Sequence, residues 1–252
     1  MLRTRVMPCL LLRGSALVKT VRFKDASYIG DPVNTVRIFN EKEVDELIVL
    51  DITATPNGTP PRFELIEEIA GECFMPVCYG GGITSVDQMR RILQSGIEKV
   101  ALNTAALADP SVMQRAADAF GSQCIVASLD VKRSRWRGEK VFGRGGRERT
   151  ALDPVEAAQR AEAHGAGEIL LTSIDRDGTM SGYDLDLVRR VAEAVSIPVV
   201  ANGGAGEVTH FRQAVDAGAS AVAAGSMVVY QGPHRAVMIS FPDRGELRRA
   251  LG

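Results

Sequence analysis

The sequence predicts an α/β fold, a (β/α)8 TIM barrel built from two pseudo-symmetric half-barrels, and three observations carry the prediction. Short runs rich in Val, Ile and Leu alternate with longer stretches of helical period, the pattern of strands buried on both faces and crossed over by amphipathic helices. Eight such runs occur, enough for a parallel sheet to close on itself. The third observation is an internal repeat at an offset of 122 residues. Met75-Pro76-Val77 recurs as Ile197-Pro198-Val199, Gly81-Gly82 as Gly203-Gly204, Gly96 as Gly218, Thr104 as Ser226 and Glu46 as Glu168.

In chain order, strands are expected at 5–12, 46–52, 75–79, 99–103, 124–130, 168–173, 197–202 and 219–224. Each is a short apolar run, and helical segments such as 61–73 and 86–96 lie between them. The 252 residues, 45% of them hydrophobic, suit one barrel domain over 1–252 with no linker. A formal net charge of −1 with interspersed charges argues against nucleic acid or an anionic membrane as partner and favours small-molecule chemistry. No apolar run approaches the roughly 18 residues of a membrane span, and the N-terminus lacks the apolar stretch of a signal peptide. A soluble, cytoplasmic protein is expected. Cys9, Cys73, Cys78 and Cys124 lie in apolar, strand-like sequence without a CxxC pair, so they read as reduced core thiols rather than metal ligands or disulfides. No metal or cofactor is expected.

In a barrel of this kind the loops after the strands form the active mouth, where glycine lets backbone N–H groups approach a phosphate. Gly81 and Gly82 follow one strand and Asn103-Thr104 end the next, making a first cradle. Gly203-Gly204 and Gly225-Ser226 repeat the arrangement, with Asp177-Gly178 projecting from the preceding strand end. A phosphorylated small molecule, with a phosphate at each end, fits such a twofold site. The alternative role of these glycines is to make tight strand-to-helix turns.

The segments MPCLLL (7–12), GDPV (30–33), DELIVLDITAT (45–55), YGGGI (79–83), ALNTAAL (101–107), FGSQCIVASLD (120–130), GAGEILLTSIDRDGTMSGYDLDL (165–187) and ANGGAG (201–206) resemble the cyclase subunit of imidazole glycerol phosphate synthase, HisF. The resemblance covers nearly the whole length. It implies acid–base catalysis by two aspartates at the ends of strands 1 and 5, as ammonia adds to a bisphosphorylated ribulosyl precursor that is cleaved and closed into an imidazole. The strand-5 aspartate corresponds to Asp130, but the strand-1 position holds Leu11. The repeat gives the same reading, because Cys9-Leu10-Leu11 stands where the second half has Ser128-Leu129-Asp130. Leucine neither donates nor accepts a proton, and a positioned acid or base contributes on the order of 100- to 10,000-fold in rate. A weak or lost cyclase reaction is therefore expected, unless Asp51 or Asp177 substitutes; Asp51 ends strand 2, where it either faces the mouth or caps its loop. The resemblance also implies a catalytic role for Lys19 in a mobile loop after strand 1; the other reading is a solvated lysine.

Arg5, Glu46, Lys99 and Glu168 fall at the starts of strands 1, 2, 4 and 6, roughly 20 Å of strand below Leu11. The resemblance makes them a charged ring gating a passage for ammonia from a docked HisH-like glutamine amidotransferase; a stabilising ion-pair cluster is the alternative. No Cys-His arrangement here commends itself as a glutaminase site. Ammonia route and cradles kept, with one carboxylate lost, resemble the HisF-like branch associated with surface-polysaccharide genes, in which a third protein amidates a nucleotide-linked sugar. The segment QGPHRAVMISFPD (231–243) looks like that branch. Histidine-synthesis cyclase and noncatalytic glutaminase scaffold remain the alternatives. Finally, eight basic and two acidic residues lie between Val131 and Thr150, around Trp136 and Gly145-Gly146. They suit an inserted β-hairpin over the mouth that steers a phosphorylated ligand, or else a solvated loop.

Overall fold

The structure is a computed structural model that describes residues 4–134 and 138–252. Eight strands form the barrel: β1 (Arg5–Arg13), β2 (Leu47–Asp51), β3 (Val77–Gly80), β4 (Lys99–Leu102), β5 (Ile125–Ser134), β6 (Glu168–Ser173), β7 (Val199–Asn202) and β8 (Ala221–Ala224). Each pairs in parallel with the next, and β8 returns to β1 with Ala221 opposite Arg5, so the sheet closes. A helix of eight to ten residues follows each strand: α1 (Pro32–Glu41), α2 (Phe63–Glu72), α3 (Val86–Gln94), α4 (Ser111–Phe120), α5 (Pro154–Ala163), α6 (Leu185–Ala192), α7 (Val208–Asp216) and α8 (Arg244–Leu251), with shorter helical turns at Ala54–Asn57, Thr104–Ala108 and Ser226–Val229. Local chemistry starts several of them. Asp31 and Asp153 accept from the backbone N–H three residues on, and each precedes a proline in the first turn.

Alternation along the strands builds two apolar layers. Val6, Leu10 and Leu12 face outward to Phe39, Ile66, Ile92 and Phe211 of the helices. Met7, Cys9 and Leu11 belong to a separate inner cluster with Ile48, Cys78, Val126, Leu170, Ala221 and Ala223, which fills the barrel. No helix of the described residues is long and apolar enough to cross a membrane.

The cysteine reading needs correction in part. Cys9 and Cys78 are buried, but Cys73 ends α2 and Cys124 lies in a short 3-10 turn, both half-buried outside the strands. All four thiols are free, and burial pushes Cys9 up to about 12 and Cys73 up to about 11.

Two antiparallel hairpins rise from the barrel. The first, Ala16–Val21 with Lys24–Gly30, continues β1, pairing Val18 with Leu11. The family resemblance implies a mobile loop after strand 1, and the chain forms this hairpin there instead. The second, Gly138–Gly143 with Glu148–Arg149, continues β5 where a hairpin was expected, pairing Phe142 with Asp130. Trp136, Arg135 and Arg137 lie outside the described residues.

Candidate functional site

At the mouth formed by the strand C-termini, the loops and both hairpins enclose a cavity of about 1020 Å³. Strand register fixes which residues reach it. Leu11 lies opposite Leu50, and Asp130 lies opposite Thr172. Leu50 and Thr172 are themselves 122 residues apart, so the pairing makes Leu11 and Asp130 structural equivalents. Leu11 is 7% exposed, within an apolar wall of Val18, Ala26, Leu50 and Ile52.

Asp130 sits in different chemistry. Burial and the nearby charge of Asp177 push its carboxyl up to about 7, against the opposing hydrogen bond of the Thr172 side chain. Asn202 Nδ2 donates to Thr172 Oγ1 at 3.1 Å, which fixes that hydroxyl beside the acid. Asp177 is buried and fully engaged: Lys19 Nζ donates to Oδ1 at 2.7 Å, while Thr20 Oγ1 at 2.7 Å and Phe23 N at 3.3 Å donate to Oδ2. Lys19 is thus neither in a loop nor solvated. It stands on the first hairpin, buried, with its stem across Gly225: a Cβ placed there would lie 2.9 Å from Lys19 Cε.

Asp51 is also committed. Its Oδ1 accepts from Thr53 N and Thr53 Oγ1 at 2.8 Å and from Ala54 N at 3.0 Å, capping the turn after β2. Neither of the two carboxylates considered as substitutes for the missing one is unengaged.

The glycine positions divide. Gly81, Gly82, Gly178, Gly203 and Gly225 line the cavity, with Asn103, Thr104, Asp177 and Ser226. Gly204 packs away from it, against the Gly182 carbonyl. Gly81 is required by the fold whatever else it does: its φ is +119°, and a Cβ would fall 2.4 Å from the Asp51 carbonyl oxygen. Gly82 N–H donates to Thr55 Oγ1 at 3.0 Å. Thr104 Oγ1 donates to Asn103 Oδ1 at 3.1 Å and accepts from Arg144 N at 2.8 Å. Ser226 Oγ, its counterpart in the repeat, is the one buried side-chain polar atom without a partner among the described residues.

The opposite end of the barrel carries the four predicted charges in one closed ring. Arg5 bonds Glu46 at 2.5 Å and Glu168, and Lys99 Nζ bonds Glu46 Oε1 at 2.8 Å and Glu168 Oε2 at 2.9 Å. Burial opposes the charge of both cations, but the two glutamates outweigh it and hold each pKa above its usual value.

Residues 5–234 match the model of a family described as "Histidine biosynthesis protein". Over 248 residues the chain is 52% identical to the Pseudomonas aeruginosa "Putative imidazole glycerol phosphate synthase subunit hisF2", covering 98% of this chain and 99% of the relative. A Vibrio vulnificus protein, "Putative imidazole glycerol phosphate synthase subunit hisF3", is 46% identical, covering 100% and 97%. The Leptospira borgpetersenii "Putative imidazole glycerol phosphate synthase subunit HisF" is 45% identical, covering 96% of each. The chain belongs to the HisF-like family. Within this HisF-like barrel, sequence reasoning missed Thr172, Asn202 and Thr20. Thr172 and Asn202 both lie in motifs that carried the family resemblance, ILLTS and ANGGAG, but nothing in their spacing ties them to Asp130 before the register of β5, β6 and β7 is known.

Proposed function

We propose that this HisF-like subunit receives ammonia from a HisH-like glutamine amidotransferase at the ringed end of the barrel and delivers it to a phosphorylated small molecule at the other, without efficient imidazole cyclisation. The observation that carries the reading is Leu11 opposite Leu50, where the equivalent strand has Asp130 opposite Thr172. Cyclisation by two facing aspartates needs proton transfers on both sides of the substrate, and here one side is hydrocarbon. The engagement of Asp177 at both oxygens, and of Asp51 Oδ1 in its own turn, supports the reading, because both carboxylates already hold their loops.

Asp130 then serves alone. A carboxyl that titrates near neutrality accepts a proton or holds one at the arriving nitrogen, and Thr172 keeps it oriented. The phosphates of the ligand rest at Asn103-Thr104 and at Gly225-Ser226, where the orphaned Ser226 hydroxyl gains an acceptor. Between ring and mouth, the inner cluster of Met7, Ile48, Cys78, Ala101, Val126 and Ala223 is apolar, suited to ammonia and hostile to ammonium. The acceptor that best accounts for a retained ammonia route without cyclisation is a sugar, nucleotide-linked, amidated by a third protein in lipopolysaccharide or O-antigen synthesis. The reaction takes place in the cytoplasm.

The relatives' names favour a second reading, a working cyclase in histidine synthesis. One experiment separates the two: turnover of the ribulosyl-formimino precursor by the purified chain in excess ammonium salt, beside Leu11→Asp. Little or no turnover, rising at least about 100-fold in the variant, is expected. Robust turnover by the unaltered chain returns the protein to histidine synthesis. Stimulation of the glutaminase on mixing, with no product from any phosphorylated substrate, moves it to a noncatalytic scaffold.

A further inference from the structure

The cavity is lined by five cations, and they are not equivalent. Lys19 is neutralised by Asp177, and Arg115 bonds Asp109 at 3.1 Å. Arg13, Lys24 and Arg147 form no ion pair among the described residues. Arg13 and Lys24 belong to β1 and the first hairpin, beside the apolar wall. Arg147 belongs to the second hairpin, and that hairpin rests directly on the first phosphate cradle. Arg144 N donates to Thr104 Oγ1 at 2.8 Å, and Asn103 Nδ2 donates to the Phe142 carbonyl at 3.1 Å.

The intervening turn holds Arg147 in place. Arg144, Gly145 and Gly146 all have left-handed backbone, with φ of 51°, 65° and 78°, and Arg147 N closes the turn on the Gly143 carbonyl at 3.1 Å. Gly146 packs against Phe23 and Ile174, and Gly145 against Pro56, so the turn bridges the first hairpin and the loop after β2. The turn therefore places a guanidinium with no internal partner in the wall of the same cavity as Asn103 and Thr104.

We infer that Arg147 forms an anion subsite beside the first phosphate cradle, and that the ligand carries a second anionic group next to the phosphate at Asn103-Thr104, as in a pyrophosphate linkage. This rests on the proposed reading that the cavity takes a phosphorylated ligand. It adds what that reading leaves open, the spacing of the charges. A guanidinium binds two oxygens of such a group at once, and an unpaired one gives up no internal ion pair on doing so.

The test is calorimetric titration of the full chain with inorganic phosphate and with pyrophosphate, for the unaltered protein, Arg147→Gln and Arg149→Gln. Arg149 is on the same hairpin, exposed and outside the cavity lining, and its change controls for the loss of a charge. Pyrophosphate is expected to bind the unaltered chain roughly 10-fold more tightly than phosphate, with the preference lost in Arg147→Gln and kept in Arg149→Gln. Thermal melting should leave both variants folded, since neither side chain has a hydrogen-bond or ion-pair partner among the described residues. If phosphate binds but Arg147→Gln lowers pyrophosphate affinity no more than Arg149→Gln does, the subsite is refuted and the cradle stands. If neither anion binds the unaltered chain, the cradle reading fails and takes the subsite with it.

Discussion

On β1 the side chain at the mouth is Leu11, packed with Val18, Ala26, Leu50 and Ile52; on β5 its equivalent is Asp130, beside Thr172, Asn202 and the charge of Asp177. The halves share strand register, turn glycines and even a hairpin after the first strand of each. They do not share electrostatics. The second half contributes two acids, Asp130 and Asp177, the latter held by Lys19 of the first half, while the first half sets hydrocarbon around Leu11 with Arg13 and Lys24 beside it and, through the hairpin resting on it, Arg147. A duplicated backbone thus supports a site that is symmetric in shape and polarised in charge. Under the proposed function, that polarity favours one orientation of a ligand with unequal ends.

The sharpest way to break the contrast is to remove the hub of the acidic half. Asp177→Ala leaves Lys19 buried without its counter-ion and strips Thr20 Oγ1 and Phe23 N of their acceptor, while the backbone bond from Arg22 N to the residue-177 carbonyl survives. A loss of about 3–5 kcal/mol in urea unfolding is expected. A loss under about 1 kcal/mol would mean that Lys19 reaches solvent easily and that the pair does not hold the hairpin down.

That turn also marks where the sequence stopped being legible. The second hairpin declares itself through Gly145-Gly146 and the charge run; the first gave no such sign. Its two central residues, Arg22 and Phe23, adopt φ of 53° and 60°, a geometry ordinarily signalled by Asn-Gly. Arg22 N donates to the Asp177 carbonyl at 2.9 Å and Phe23 N to its carboxylate, and these contacts from a distant loop hold the conformation that the local sequence does not favour. The eight strands were legible because each is a short apolar run between helical stretches, and the charged ring because each member stands at a strand start. The capping of its own turn by Asp51 is a local contact, two and three residues on, and is one of the two roles its position offers; which way Lys19 faces depends on tertiary neighbours that spacing does not encode.

Leu11→Asp would make the halves alike. Two carboxyls would then share a cavity where Asp130 already feels Asp177, and the inner cluster would lose a leucine. The expected cost is about 2–3 kcal/mol, with the Asp130 carboxyl driven higher still. Chemical-shift titration of labelled aspartate carboxyls checks the second point; an unmoved Asp130 would place the two side chains out of electrostatic reach.

An effect of opposite sign comes from Asp130→Asn. The native carboxyl titrates at about 7, above the ordinary 3.8 of an unfolded aspartate, so the folded state binds its proton more tightly. Its contribution to stability is complete below about pH 4 and is lost as pH rises through 7. The asparagine variant escapes that loss. It should match the unaltered chain at pH 4 and exceed it by about 3–4 kcal/mol at pH 8. A stability difference independent of pH would show that Asp130 is ionised at low pH and better solvated than its surroundings imply.

The finest distinction between the halves lies in one hydroxyl. Thr104 and Ser226 are 122 residues apart and open equivalent short helices, yet Thr104 Oγ1 is bonded to Asn103 and to Arg144 N, whereas Ser226 Oγ is buried with no partner. A buried hydroxyl left unpaired is destabilising, and under the proposed function the ligand supplies the missing bond. Ser226→Ala should therefore leave the ligand-free chain equally stable or more stable by up to about 1 kcal/mol. It should also remove part of the rise in melting temperature that inorganic phosphate produces, because only the native state binds the anion. Thr104→Val, which keeps the shape and removes the hydroxyl, should do the reverse in the absence of ligand and lower stability by about 1 kcal/mol through the lost hairpin contact. If Ser226→Ala destabilises the free chain as Thr104→Val does, the Ser226 hydroxyl is already satisfied, and the second cradle is built like the first rather than held open for a phosphate.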